Sequence, residues 1–325
     1  MDVDPAARPV IERLGLVQNP QGGWFRLVHE CPDPNGSGRS VVTVINYLLD
    51  AARPTTSLRR MSADAVHYFH QGAPMTVVTV SSDGDVERQV LGPDRLQVVV
   101  GGGTWKRFEL VGGPWGLISE AVAPGWHADD QEQTPPGLRA PDTTDVTAPS
   151  VAIEAETDWA GRLGLEPNLE GGYYRQTFES SSTVTTAAGE RPLLNTIYYL
   201  LTTGSPVGHL HRNRSDITHL HHHGGPATYL LVSPAGELRE VVLGPDLDAG
   251  QVVSFTAPGG WWKTSHVLAP GAIDCLISEV VAPGFRYEDH EMASVAGIAA
   301  AHPELLDRLR PFILGADPQD GSGPP

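Results

Sequence analysis

The sequence predicts an all-β protein in which two similar barrels or sandwiches follow one another, and three observations predict it. The first is a repeat. LGLVQNPQGGWFRLV from Leu14 returns as LGLEPNLEGGYYRQT from Leu163, DAVHYFHQGAPMTVV from Asp64 as DITHLHHHGGPATYL from Asp216, and ISEAVAPGW from Ile118 as ISEVVAPGF from Ile277. The offsets are 149, 152 and 159 residues. Matching segments therefore keep their order with short insertions only, as in a duplicated domain and unlike a short solenoid repeat. The second observation is that short runs rich in Val, Ile, Thr and aromatics are punctuated by Gly, Pro, Asn and Asp at roughly 8–12-residue spacing. The third is the content of 36 Gly and 28 Pro, which favours many turns and few long helices.

In chain order, each copy opens on a short helix, residues 6–14 and 156–163, stopped by Leu-Gly-Leu. In the first copy, strands are expected over 40–49, 66–69, 75–81, 97–100 and 115–122. The Pro/Thr/Asp-rich stretch TPPGLRAPDTTDVTAPSV reads as a linker. The domains are therefore expected at 1–133 and 156–298, with a linker over 134–155. A helix near 297–314 and a disordered tail, ADPQDGSGPP, fill 299–325.

With 39 acidic against 22 basic residues, the net charge is −17. Such a surface repels nucleic acid and anionic membranes, so neither is an expected partner. No apolar run reaches membrane-spanning length, and MDVDPAARPV has neither a basic n-region nor an apolar h-region. Cys31 and Cys275 sit at non-equivalent places in the two copies, which argues for free thiols in a cytoplasmic protein.

The pieces LGLEPNLEGGYYRQ, NTIYYLL, HRNRSD, HHHGGPATYLLV, LREVVLGPDLDAGQ, PGGWWK and EVVAPGFRYEDHEMA resemble one family. It is the cupin_5 group, also called DUF985, within the RmlC-like cupin superfamily. The resemblance spans about residues 12–133 and 161–293, so the chain resembles a tandem bicupin. It implies two double-stranded β-helix (jelly-roll) barrels, a fold that hosts isomerases, epimerases, oxygenases and binders alike. It also implies an intramolecular pseudo-dimer that imitates the homodimer of single-domain relatives, with further dimerisation left open. A typical cupin pocket carries His-x-His on one strand, Glu on the next and a later His, a set suited to Mn, Fe, Ni or Zn.

In the second copy His209-Leu210-His211 matches the His-x-His, but Ile217 takes the Glu position and Lys263 the later His position. Six of the 13 histidines fall between 209 and 223. Alternation along a strand places His219, His221 and His223 on the face of Ile217, so five histidines are expected to line one cavity. His209, His211, His219 and His221 are then the candidate ligands of one divalent metal. In the first copy the corresponding positions hold Ser57, Arg59, Ala65 and Phe69, leaving His67 and Lys106. Arg59, His67 and Lys106 would repel a divalent ion, and read instead as an anion pocket with His67 as base.

Both copies keep a Lys and a His at equivalent positions, and a buried lysine can act as acid, base or Schiff-base amine. The bland readings are rim lysines and a solvent-exposed His-rich loop. Arg26 and Arg175, after a Gly-Gly-aromatic-aromatic run, either bind substrate anions or pair with the acids of the Glu120 and Glu279 strands. Glu120 and Glu279 either point inward as general acids or form structural salt bridges. Trp105 and Trp262 flank the lysines as an apolar wall or as core, and Tyr199 lies on a strand of either parity.

These residues point to an enzyme of small-molecule, specialised-metabolite biosynthesis. The expected reaction is an isomerisation, epimerisation, dehydration or cyclisation by metal-independent proton transfer on a carbonyl compound, with no cofactor. His219, His211 and Lys263 would do the chemistry. One alternative is a metal-dependent cupin, dioxygenase or isomerase, with Fe, Mn, Ni or Zn in the second barrel. The other is a non-catalytic small-molecule-binding bicupin.

Overall fold

The alternation of buried and exposed residues within the repeated segments resolves, in a computed structural model, into two β-barrels of matching topology. The structure describes residues 3–36, 38–134, 158–268, 271 and 273–316. The expected linker lies outside the described residues except for Thr134, as does the expected disordered tail except for Ala316.

In the first barrel a six-stranded sheet runs in the order Val17–Gln18, Trp24–Cys31, Val42–Asp50, Trp115–Ala123, Asp64–Gly72 and Gln97–Val100. Its partner sheet runs Gln131–Gln133, Arg59–Met61, Trp105–Leu110, Met75–Val80 and Val86–Leu91. The second barrel repeats this plan. Its sheets run Glu166–Pro167, Tyr173–Glu179, Asn195–Leu201, Cys275–Ala282, Asp216–Gly224, Ser254–Ala257, and Leu238–Leu243, Ala227–Val232, Trp262–His266, Val207–Asn213, His290–Met292. The helices are as short as expected, Arg8–Leu14 and Trp159–Leu163, each closed by a left-handed glycine.

The chain divides into compact units Met1–Thr157 with Ser180–Leu194, and Asp158–Glu179 with Asn195–Pro325. The hairpin Thr183–Thr186/Gly189–Pro192 thus groups with the first unit, although the sequence places it within the second copy. The C-terminal helices Val295–Ala301 and Leu306–Leu309 are not an appendage. Ile298, Leu309 and Phe312 share one core cluster with Leu210 and Trp262, and so cover the outer face of the second barrel's five-stranded sheet. Cys31 and Cys275 are buried thiols outside any disulfide, as their non-equivalent positions suggested, and burial pushes the Cys275 thiol up to about 12. Among the described residues no helix is long and apolar enough to cross a membrane.

Pairing of Asp216–Gly224 with Cys275–Ala282 slips between His221 and His223, and the first copy slips between Leu117 and Ile118 on the equivalent pair. A bulge of this kind changes which face the following side chains take. The strand then ends on Gly224 at φ +88, where an added Cβ would stand 1.8 Å from the Asp274 carbonyl oxygen. Gly224→Ala combines left-handed strain with a backbone clash, and should lower stability by about 3 kcal/mol or more, read as a fall in the denaturant midpoint.

Candidate functional site

Each barrel buries a cluster of titratable groups built from equivalent strand positions. In the first barrel Arg59 pairs in register with Lys106, and His67 with Glu120. Lys106 Nζ lies 3.0 Å from His67 Nε2 and donates to Glu120 Oε1. His67 Nε2 is 3.3 Å from the same oxygen. Arg59 Nη2 lies 3.5 Å from Glu120 Oε2, while its Nη1 donates to Gln21 Oε1 at 2.5 Å. Arg59 is 5% exposed and Lys106 2%.

The second barrel keeps the same floor. Lys263 Nζ sits 3.0 Å from His219 Nε2 and 3.1 Å from Glu279 Oε1, and His219 Nε2 is 3.1 Å from that oxygen. Above the floor the two copies part. Gln21, Arg59 and Gln131 of the first barrel correspond to Glu170, His211 and His290 of the second. Glu170 Oε2 is 3.3 Å from His211 Nε2, and Glu170 Oε1 is 2.8 Å from His290 Nε2.

Glu170 is placed by its loop. Gly171 and Gly172 hold φ of 91° and 67°. Tyr199 Oη donates to the Gly171 carbonyl at 2.9 Å, and His209 N donates to the Glu170 carbonyl at 2.5 Å. A Cβ at Gly171 would meet the Val207 carbonyl at 2.1 Å, so only glycine lets the loop come this close to the His209–His211 strand.

Electrostatics follow from burial and neighbours. Burial, reinforced by Lys106, lowers His67 to about 4; burial and Lys263 lower His219 to about 4 as well. Burial lowers Lys106 to about 8, against the opposing pull of Glu120. Burial alone would raise the three carboxylates, but their cationic neighbours win. Lys106, His67 and Arg59 hold Glu120 well below the usual range, and Lys263 with His219 does the same for Glu279. His211, His290 and Lys263 bring Glu170 down despite repulsion from Glu279. Burial also lowers His211, which favours its neutral ring near pH 7, although Glu170 draws it the other way.

These shifts have a consequence for stability. Between about pH 6.5 and 4 the unfolded chain protonates the two histidines and the folded chain does not, so the unfolded state binds more protons and stability falls as pH falls. Below that window Glu120 and Glu279 add to the loss, since their depressed values favour the folded state only above the unfolded carboxylate range. The denaturation midpoint should therefore drop across pH 6.5 to 4, and His67→Phe with His219→Phe should flatten the upper part of that drop.

Several sequence expectations are corrected by placement. Of the five histidines expected in one cavity, His211 reaches it and His219 forms its floor. His219 is 0% exposed, stacked on Phe255 at 4.6 Å, with its Nε2 against Lys263 and Glu279. His221 Nε2 turns to the Gly225 carbonyl at 3.3 Å, and His223 packs against Trp159 because the bulge reverses its face. His209 contributes its backbone, its carbonyl lying 2.6 Å from His211 Nδ1. Arg26 Nη1 donates to the Leu14 carbonyl at 3.0 Å and secures the first helix rather than an acid of the Glu120 strand. Arg175 is exposed on the equivalent position, at the edge of the second cavity.

Trp105 and Trp262 alternate with the lysines and so point away from them, into outer cores with Leu58 and Leu210 respectively. Tyr199 faces inward but serves the Gly171 loop and the core, and burial raises its hydroxyl well above its ordinary value. Glu120 and Glu279 do point inward. Sequence reasoning missed Glu170 and His290. The signal was available, because at both positions the first copy has glutamine where the second has a titratable side chain.

The usual cupin metal quartet does not fit this chain, because Ile217 and Lys263 replace its carboxylate and third imidazole. A different donor set fits better. Ligand atoms of Glu170, His211 and His290 lie within 4.8 Å of one another. His211 Nδ1 donates to the His209 carbonyl, which turns the Nε2 lone pair of the neutral ring toward the Glu170 carboxylate. Two acceptors facing each other favour the arrival of a proton or a cation, so Nε2 is placed to take up either.

The trio lines an open cavity of about 480 Å³ together with Lys263, Glu279 and Asn213. The first barrel opens on a cavity of about 570 Å³ reaching Arg59 and Glu120.

The uncharacterised protein YML079W of Saccharomyces cerevisiae is 36% identical over 155 residues, covering 44% of this chain and 75% of the yeast protein. A hypothetical protein from Leishmania major is 32% identical at a TM-score of 0.46, covering 48% of this chain and 96% of its own. A Lactobacillus farciminis oxalate decarboxylase, in a formate complex, covers 91% of this chain and 93% of its own, at 10% identity and a TM-score of 0.50. That likeness is one of fold alone. The family described as cupin superfamily (DUF985) matches residues 8–134 and again 157–293, and the chain belongs to it twice over, as a bicupin.

Proposed function

We propose that the second barrel is an enzyme site that moves a proton on a small carbonyl compound without a metal, as in an isomerase, epimerase, dehydratase or cyclase. The observation that carries this reading is the Glu170–His211–His290 cluster, which stands beside Lys263 in the wall of an open cavity. His211 has the features of a general base. Burial favours its neutral ring near pH 7, its Nδ1–H is held by the His209 carbonyl, and its Nε2 is the basic atom. When Nε2 takes the proton α to a carbonyl, the adjacent Glu170 carboxylate stabilises the imidazolium. Lys263, fixed by Glu279 and His219, can donate to the oxygen on which negative charge develops. Return of the proton to the other face, to a neighbouring carbon or to a leaving group yields the different products. His219 is a positioning residue in this scheme.

A second reading is favoured by the donor set itself. Glu170, His211 and His290 would hold a divalent metal, which would supply Lewis-acid polarisation of a bound oxygen. One assay addresses the reaction before the substrate is known: deuterium incorporation from D₂O α to the carbonyl in 2-keto acids, ketoses and β-dicarbonyl compounds. Protein-dependent exchange supports the proton-transfer site. Absence of exchange across all three classes would leave a binding protein instead.

A further inference from the structure

The duplication has reversed the charge of the pocket. In the second barrel Glu170 and Glu279 face one cation, Lys263. In the first, Arg59 and Lys106 share one carboxylate, Glu120, because Glu170 has become Gln21 and His211 has become Arg59. Arg59 reaches the cavity, and its bonds to Gln21 and Glu120 use two of five N–H donors. The other charged group lining this cavity, Glu30, is exposed at the rim, where it accepts from Ser40 and is screened by water.

The walls have changed with the floor. Tyr174, Gln176 and Asn213 of the second cavity correspond to Phe25, Leu27 and Met61 of the first. Trp126, 50% exposed, stands at the same opening. An uncompensated buried cation under an apolar shaft fits one ligand chemistry.

We propose that the first barrel is a binding site for a monocarboxylate with an apolar body, its carboxylate on Arg59 and its body against Phe25, Leu27, Met61 and Trp126. This assignment holds whichever chemistry the second barrel performs.

The test is titration calorimetry of the full chain with decanoate and, as the uncharged control, decan-1-ol. One decanoate is expected per chain, with decanol at least about tenfold weaker, since a buried charge-assisted pair contributes on that scale. Arg59→Gln should weaken decanoate by about tenfold or more and leave decanol unchanged. Leu27→Gln, at a half-exposed strand position where the second barrel already carries glutamine, should weaken both without unfolding the barrel. His211→Ala should change neither. Decanoate binding that survives Arg59→Gln, equal binding of the alcohol, loss on His211→Ala alone, or no heat at millimolar decanoate would each overturn the proposal.

Discussion

His211→Ala should lower α-proton exchange by about 10²- to 10⁴-fold, the contribution of a positioned general base, while the thermal midpoint changes little. The fold should tolerate the change because His211 lines a cavity, and its loss leaves Glu170 still beside His290. Lys263→Met should be as damaging to exchange, about 10²- to 10³-fold if Lys263 acts as the oxyanion donor. Its thermal behaviour should differ, because Glu279 then stays buried beside a neutral histidine. The two variants separate the roles: rescue by added imidazole is expected for His211→Ala, and its absence for Lys263→Met. A Glu170→Gln variant should shift the acid limb of the exchange profile downward, since the Glu170 carboxylate raises the His211 value. A merely structural role would not move that limb.

The largest stability effect should come from the first barrel. Glu120 is the shared carboxylate of Lys106, His67 and Arg59, all nearly inaccessible to water. Glu120→Ala leaves two cations buried without an anion, and breaking a buried ion cluster from one side costs about 3–5 kcal/mol. Lys106 can relieve part of this by losing its proton, since burial already lowers it to about 8. The Glu120→Ala protein should therefore begin to gain stability with rising pH at a lower pH than wild type, whose own gain from Lys106 begins near 8. Combining Glu120→Gln with Lys106→Met removes one charge of each sign and should recover much of the loss, the non-additivity expected of contacting groups. A Glu120→Ala protein as stable as wild type would contradict the description of this cluster as a coupled buried unit.

The barrels, their number and five strands of the first were legible in the sequence, because β-rich runs between turn residues mark them and duplication supplies a second reading. Gln97–Val100 appears at its expected bounds, and Asp216–Gly224 extends the run singled out by its histidines. Lys106, His67, Lys263 and His219 were legible as an equivalent inward pair for the same reason. The failures have physical causes too. Alternation places His221 and His223 in the cavity, but a bulge after His221 turns His223 to the other face, and the Gly225 carbonyl takes up the His221 ring. For Trp105 and Trp262, open in the sequence between an apolar wall and core, strand alternation decides for core, since residues adjacent to the lysines point to the opposite face. Glu170 lies in a loop and His290 on a three-residue strand, where no periodicity announces a side chain's direction. Only comparison of the two copies, glutamine against acid or imidazole, would have marked them.

The most direct measurement is deuterium exchange by untagged protein, purified without a nickel column, before and after exhaustive chelation, with metal content determined on the same samples. Metal-independent proton transfer predicts exchange that survives chelation and disappears in His211→Ala. Exchange that vanishes on chelation and returns with about one equivalent of Fe, Mn, Ni or Zn, with that equivalent lost in His290→Ala, would contradict it and assign the cluster to a metal instead.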